Sequence, residues 1–488
     1  MKEMKQHSIK YNFLMNFVLS ASQFIFPLIT FPYVSRVLLA EGSGKVTFVA
    51  SVANYFSMVA SLGIPTYGIR ACAQVRDDRD KLSKTAHELL IINSITTLLV
   101  VVTYIACVLL VPRFRTERTL FLINGINILL NMFGMNWLFQ ALEQYDYITF
   151  CSILFKIASV FLMLALVHEK TDYVIYGGIA VFAAVGSNLL NLLRARKYID
   201  FKWIGNYNLR RHIKPIMVLF AQSLAVSIYT NMDTVMLGFM KEDVDVGYYN
   251  AAVKVKTILL SLVSSLGSVL LPRMSYYAKE HMKMKFMETT SMALNFTMLI
   301  SFPLALYFSM FSAECIRFLA GNGYAGAVAA MQIITIAIIP IGLTGILGVQ
   351  VLTAIEKEKY VLYSVIVGAT LDFILNLLLI PSLGATGAAF ATMLAEFAVL
   401  AVQIIYTRDI ICQIRSKLRW ERYIGLSILT AIIGVLTRTL PIKSTFLELV
   451  VSAIAFFSVY GMGLLVLHDE FALKAMNLMK IKFKRSKE

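Results

Sequence analysis

The stretch FIFPLITFPYVSRVL, Phe24–Leu38, interrupts an apolar run with Pro27, Pro32 and Arg36. The run extends from Phe13 to about Leu39, longer than the roughly 20 residues a helix needs to cross a bilayer. Proline removes a backbone donor and kinks a helix, and an arginine among lipid tails is costly. Broken or charged helices are tolerated in membranes where they line protein or water, so this stretch points to a membrane helix beside a cavity.

Composition extends that reading to the whole chain. Of 488 residues, 58% are hydrophobic and 15% charged, against roughly 45–50% apolar in soluble domains. Mean hydropathy is +0.72, so a polytopic membrane protein is expected. The five cysteines are scattered, with no CxxC spacing, and read as small apolar residues. The basic start, MKEMKQHSIKY, imitates a signal peptide. The apolar run behind it is too long and has no small-x-small cleavage site, so an uncleaved first span is expected.

Further apolar segments follow near 46–66, 87–111, 119–141, 147–167, 173–194, 214–240, 247–271, 287–311, 325–353, 359–381, 386–407, 421–440 and 445–467. With the first span they predict twelve to fourteen crossings, all helical because open sheet edges are unsatisfied in lipid. With the N-terminus in the cytoplasm, 32 Lys and Arg fall in cytoplasmic segments and about nine outside, Arg113, Arg115 and Arg118 among them. That excess follows the positive-inside rule and places both termini in the cytoplasm. It accounts for most of the net charge of +16 as topology and contact with anionic lipid; nucleic acid is not needed to explain it.

An internal repeat runs through these spans. Ser61-Leu62-Gly63 recurs as Ser265-Leu266-Gly267, Gly44 as Gly247, Val37-Leu38 as Val235-Met236, and Ala141-Leu142-Glu143 as Ala354-Ile355-Glu356. The matches keep order and register. Six spans separate the copies, which makes them parallel repeats about an axis along the membrane normal. The expected organisation is an N-lobe of six spans over 1–195 and a cytoplasmic linker over 196–213. A C-lobe of six spans follows over 214–410, then two additional spans and a basic tail over 411–488. Two six-helix lobes around a central cavity are the architecture of an alternating-access transporter.

Several chemistries have no residues here. Gly42-Ser43-Gly44-Lys45 lacks the upstream glycine of a phosphate-binding loop, and there is no HExxH or Cys/His cluster. Asp243-Val244-Asp245 matches a DxD pattern, but in a short outer hairpin it is expected to be a solvated acidic turn. Arg76-Asp77-Asp78-Arg79-Asp80 reads as a salt-bridged loop. No cofactor or metal is expected, and an enzyme is disfavoured because no outer loop is long enough to house one.

Ionisable residues inside spans are functional candidates by default. Lys156 lies about 13 Å into its span, near the midplane, from the rise per residue. Asp372 and Glu396 fall at about 18 and 16 Å on consecutive antiparallel helices by the same measure. They are candidates for ion coupling, because paired carboxylates in a low dielectric can share a proton. Lys254 and Lys256 lie in an outer half-membrane, and Arg70 and Arg273 stand at near-equivalent repeat positions. A basic-lined cavity suits an anionic substrate, with Arg favoured for forked phosphate contacts. Pro27, Pro32 and Pro65 are expected to break the cavity-lining helices.

The residues also carry a family resemblance. FPLITFPYVSRVL with Glu41-Gly42-Ser43-Gly44-Lys45, SVANYFSMVASLGIPTYGIR (51–70) and Arg76-Asp77-Asp78 resembles the Wzx-type oligosaccharide flippases. Asn231-Met232-Asp233 through Gly247-Tyr248-Tyr249-Asn250-Ala251-Ala252 is similar to the start of that family's second lobe. Asn376–Pro381, Gly384–Ala389 and Ala395-Glu396 resemble its eleventh and twelfth helices. The resemblance covers about residues 10–410 and implies the two-lobe MATE/MOP fold. It also implies transfer of undecaprenyl-diphosphate-linked oligosaccharide to the outer leaflet of a bacterial plasma membrane, for O-antigen or exopolysaccharide assembly. The implied partners are that lipid-linked oligosaccharide, the bilayer and polysaccharide polymerase or assembly proteins. Arg36, Arg70 and Arg273 are the implied cationic contacts, joined by Lys156 and Lys254. An Arg36–Asp233 gate at the outer mouth is an alternative role for that arginine. Left open are a same-fold exporter of the peptidoglycan lipid precursor or a small drug, and a membrane glycosyltransferase or polymerase.

Overall fold

A computed structural model describes residues 8–264, 267–439, 441–442 and 444–473. Every described element is helical. In the first half these are α1 (Ile9–Ser61), α2 (Ile64–Ala73), α3 (Arg79–Leu110), α4 (Pro112–Thr116), α5 (Arg118–Asn131), α6 (Asn136–Ala141), α7 (Tyr145–Leu166), α8 (Tyr173–Ala195) and α9 (Arg210–Met240). The second half holds α10 (Asp243–Val263), α11 (Gly267–Lys279), α12 (Lys283–Met310), α13 (Ser312–Ala320), α14 (Ala327–Ile336) and α15 (Ile338–Thr344). A π-helical turn, Gly345–Leu352, leads to α16 (Glu358–Tyr406), α17 (Arg408–Ile414), α18 (Trp420–Thr437) and α19 (Thr445–Val466). The chain divides into two compact units, Met1–Gly247 and Tyr248–Glu488.

Ten helical stretches among the described residues are long and apolar enough to cross a membrane. Two of them are too long for one crossing. The 49 residues of α16 would span about 74 Å at 1.5 Å per residue, against a hydrocarbon core of about 30 Å. It folds back at Gly384, and α1 folds back at Leu39, the one residue of α1 with non-helical angles (φ 56, ψ −173). With two reversals the ten stretches make twelve membrane-length segments, and α9 and α10, 31 and 21 residues long, bring these to fourteen among the described residues. The protein is a multi-pass membrane protein.

Contacts within the first unit show the reversal in α1. Its first arm runs alongside α7 in the same direction. Met15 carbonyl accepts from Thr149 (3.1 Å), Ser22 from Lys156 (2.8 Å), and Tyr33 donates to the Val167 carbonyl (2.8 Å). The second arm runs against α9, with Phe48 packed on Gly238, Tyr55 donating to the Ser227 carbonyl (3.1 Å) and Gly63 on Ile216. Leu19 and Ile64, at the two far ends of the hairpin, meet in one core with Tyr67, Leu82, Trp137 and Tyr198. A smaller core of Val34, Leu38, Met163, Val167 and Ile179 sits at the turn end.

The helix breaks fall elsewhere than expected. Pro27 and Pro32 are carried inside a continuous helix, and the chain reverses instead at Leu39. Proline removes one i→i−4 bond but leaves φ helical, whereas Leu39 sits in the left-handed region that L-residues seldom adopt. Pro65 occupies the first turn of α2, where its missing N–H costs nothing. Beyond it, Asp78 caps α3 by accepting from the backbone N–H of Asp80 and Lys81, both at 3.1 Å. That backbone bond from Lys81, with the Lys81 ammonium beside it, holds the Asp78 carboxyl below the usual carboxylate range. The same loop is pinned by Arg76–Glu143 (2.7 Å) and Arg79–Asp200 (2.9 Å).

The turn at Leu39 is seated on the α9–α10 turn by two glycines. A Cβ on Gly44 would overlap the Asp243 carbonyl oxygen, and one on Gly247 would overlap the carbonyl oxygen of Ala40. Only glycine permits so close an approach of backbones. With Gly44 matched to Gly247, Ala40 matches Asp243, so the two contacts are the same contact made twice. Reciprocal contacts of this kind are what an isologous pairing makes. The Ser265-Leu266 part of the repeat, residues 1–7 and the basic tail beyond 473 lie outside the described residues.

In the second unit the arms of α16 pair antiparallel. Gln403 donates to Ser364 (3.1 Å) and Gly387 packs against Leu379. Met274, Phe286, Ile346, Tyr423 and Tyr460 form its main core. Gly44→Ala is expected to destabilise the protein by about 1–3 kcal/mol through overpacking. Gly425→Ala, with no atom within 4 Å of the added methyl, is expected to be neutral or slightly stabilising. Thermal unfolding in detergent measures both.

Candidate functional site

Midway along α7, Lys156 projects into a cavity of about 300 Å³ within the first unit. The walls are Phe26, Pro27 and Thr30 of α1, Ser159 and Met163 of α7, and Tyr176 and Ile179 of α8. Ser22 donates its hydroxyl to the Leu19 carbonyl (2.6 Å), leaving its oxygen free to accept from Lys156 Nζ at 2.8 Å. The ammonium also stands 5.8 Å from the centre of the Phe26 ring. No described carboxylate pairs with it. A cation held by a hydroxyl and a ring face in a membrane segment keeps much of its desolvation cost.

A second cavity, of about 390 Å³, has a different chemistry. Asn54, Ser57 and Ser61 line it from α1, and Ser223, Ser227 and Asn231 from α9. Thr66 of α2 and Asn131 of α5 complete its polar wall, and Pro65 lies among them. Spacings of three and four residues put each set on one helix face. Arg70 follows Thr66 by one helical turn and is exposed, its guanidinium 5.4 Å from the centre of the Tyr67 ring.

At the end of the unit that holds Arg70, a buried cluster joins three helices. Glu88 of α3 is fully buried and accepts from His212 Nε2 (2.7 Å), Arg211 Nη2 (2.5 Å) and the Asn208 backbone N–H (2.7 Å). His212 Nδ1 meets the Tyr67 hydroxyl at 2.9 Å. Sequence reasoning missed this group, although Glu88 lies inside the segment 87–111 expected to be a span, and an acid there was the available signal.

The opposite end carries a surface of ion pairs around a cavity of about 560 Å³. Lys45 bridges Glu41 (3.1 Å) and Glu117 (3.2 Å), and Tyr173 donates to Glu117 (2.8 Å). Arg113 pairs with Asp243 and donates to the Gly238 carbonyl (2.8 Å). Asp243 is therefore an ion-paired anchor, not the solvated turn expected, because Arg113 reaches it from α4. The same pair explains why one arginine of the outer exception stands where it does.

The remaining candidates are spread out. Arg36 is exposed three residues before the Leu39 turn, with Nη1 2.5 Å from the Pro32 carbonyl. Asp233 is buried on α9. In unit 1, then, Arg36, Lys156 and Arg70 are distributed from one end to the other and not clustered. In unit 2, Lys254 lies half-buried on α10, and Arg273 is exposed on α11, donating to the Tyr277 hydroxyl (2.8 Å). Asp372 and Glu396 are both buried, and the pairing of residues 364 with 403 and 379 with 387 sets them at the same level. Glu88→Gln is expected to cost about 3–5 kcal/mol, the penalty for breaking a buried charge pair, read as a large drop in the unfolding midpoint.

Comparison with known proteins places this architecture. The polysaccharide biosynthesis protein family matches residues 9–278, and the MatE family matches 219–378. A candidate O-antigen transporter of Escherichia coli (strain K12) is 24% identical over 407 residues, covering 82% of this chain and 97% of that protein. Among solved structures, the lipid II flippase MurJ in an inward closed conformation aligns with a TM-score of 0.73 at 14% identity. That alignment covers 94% of this chain and 99% of MurJ. An inward-facing multidrug resistance MATE transporter of the MOP superfamily aligns at 0.58 and 11% identity, over 80% of this chain and 99% of its own. These likenesses show the fold. The chain belongs to the polysaccharide biosynthesis protein family, and its fold is that of the MurJ and MATE structures.

Proposed function

We propose that the protein is a lipid-linked oligosaccharide flippase, moving undecaprenyl-diphosphate-linked repeat units from the inner to the outer leaflet of a bacterial plasma membrane. The observation that carries this reading is Lys156, a cation in a membrane-embedded cavity held by Ser22 and the Phe26 ring. Burying a charge without a counter-charge is costly, and an entering diphosphate supplies the missing one. The apolar walls of the same cavity suit a substrate whose tail stays in lipid.

The mechanism follows as alternating access. The head enters from the cytoplasm, two lobes joined by a linker over 196–213 rock about the repeat axis, and the head leaves outward. Both termini are cytoplasmic in this scheme. Arg70 meets the anion at the cytoplasmic side, Lys156 holds it midway and Arg36 receives it near the outer edge, with Lys254 and Arg273 serving from the second lobe. Asp372 and Glu396, level with each other, are the coupling pair, and Asp233 a gating acid. Polymerase and assembly proteins take the product.

Deleting the gene is expected to trap lipid-linked oligosaccharide on the cytoplasmic leaflet. If none accumulates there, the reading is wrong. In the complemented strain, Lys156→Ala is expected to cut transport at least about tenfold at unchanged membrane abundance, and Lys156→Arg to retain most of it. An equal loss of protein and transport would make Lys156 structural.

A further inference from the structure

Cations bind a diphosphate, but they say nothing of the sugars behind it. The 390 Å³ cavity of the first unit has the chemistry that the cation sites lack. Its volume falls within the roughly 300–1,000 Å³ of ligand pockets. No charged side chain lines it, so neither an ion nor an ionised peptide is its natural guest. Two facing helix stripes present an amide and two hydroxyls each.

Part of this polarity is satisfied within the chain. Asn131 Nδ2 donates to Ser57 Oγ (3.0 Å), Ser61 Oγ to the Ser57 carbonyl (2.9 Å), and Asn231 Nδ2 to the Ser227 carbonyl (3.3 Å). The side chains of Asn54, Thr66 and Ser223 hydrogen-bond no described residue. Asn54 and Thr66 are exposed and Ser223 is half-buried, so all three are open to a guest, and each can donate and accept at once. Neutral groups with both capacities match sugar hydroxyls, which also donate and accept. Arg70, one turn past Thr66 on α2, is exposed, so a cation stands on the same helix for the diphosphate of a sugar-bearing lipid.

We infer that this cavity is the glycan subsite: Asn54, Thr66 and Ser223 hydrogen-bond the hydroxyls of the sugar portion of the transported lipid. The inference rests on the flippase reading and adds the residues that distinguish a sugar-bearing lipid from a bare one.

The test uses the full chain in nanodiscs and two probes: undecaprenyl diphosphate, and the lipid-linked oligosaccharide extracted from a strain lacking the gene. The glycosylated lipid is expected to bind at least about tenfold more tightly. Asn54→Ala and Ser223→Ala should each narrow that gap roughly threefold to tenfold, the worth of one neutral hydrogen bond. Neither should alter binding of the bare lipid or, having no partner in the chain, the unfolding midpoint. Equal weakening of both lipids overturns the inference, since the residues then act on the head group or the fold. No change with either lipid also overturns it, leaving the cavity a water-lined wall. If the unmodified protein binds neither lipid, the flippase reading itself falls, and the subsite with it.

Discussion

The contact of Gly44 with Asp243, repeated by Gly247 with Ala40, is the constraint on which the first unit depends. It lets the α1 turn sit on the α9–α10 turn with no side chain between. The antiparallel run of the second α1 arm along α9 starts there, and that run forms two walls of the neutral cavity. Arg113 and Lys45 gather their acids around the same seat. Ion pairs at a partly exposed end add little on their own, whereas backbone contact at van der Waals distance fixes position. The glycines therefore set the geometry, and the charges decorate it.

Polar residues in this fold are arranged by what each can find to bond. Glu88 collects a histidine, an arginine and a backbone N–H and is fully satisfied. Such a group holds α2, α3 and α9 together. Lys156, by contrast, has one hydroxyl and one ring face, and Asn54 and Ser223 hydrogen-bond no described residue.

Much of the fold was legible in the sequence, because the solvent is apolar and span length is fixed by bilayer thickness. The repeat was legible as well, through glycines at offset 203 that turn out to touch each other's surroundings. The reversal at Leu39 was not: a leucine at positive φ has no local signature, and the prolines drew attention to residues that remain helical. Nor could sequence join Glu88 to His212, 124 residues apart, since periodicity carries no information across helices. Lys156 stood out by its depth alone, yet its partner Ser22 and the ring of Phe26 are known only from packing. Asp243 looked like a loop acid because the arginine that claims it lies far away in sequence.

An isologous contact has a property that a heterologous one lacks: two identical copies can make it. A chain of half this length, paired with itself, would meet the same steric demand at the position of Gly44 in both copies. Once the halves are fused, they are free to diverge at every position that faces a different neighbour in each copy. At this contact each glycine faces backbone of the other copy's turn, so the glycines are held while the facing side chains, Ala40 and Asp243, have diverged. Duplicated chains of this kind keep their memory of symmetry longest where backbone touches backbone.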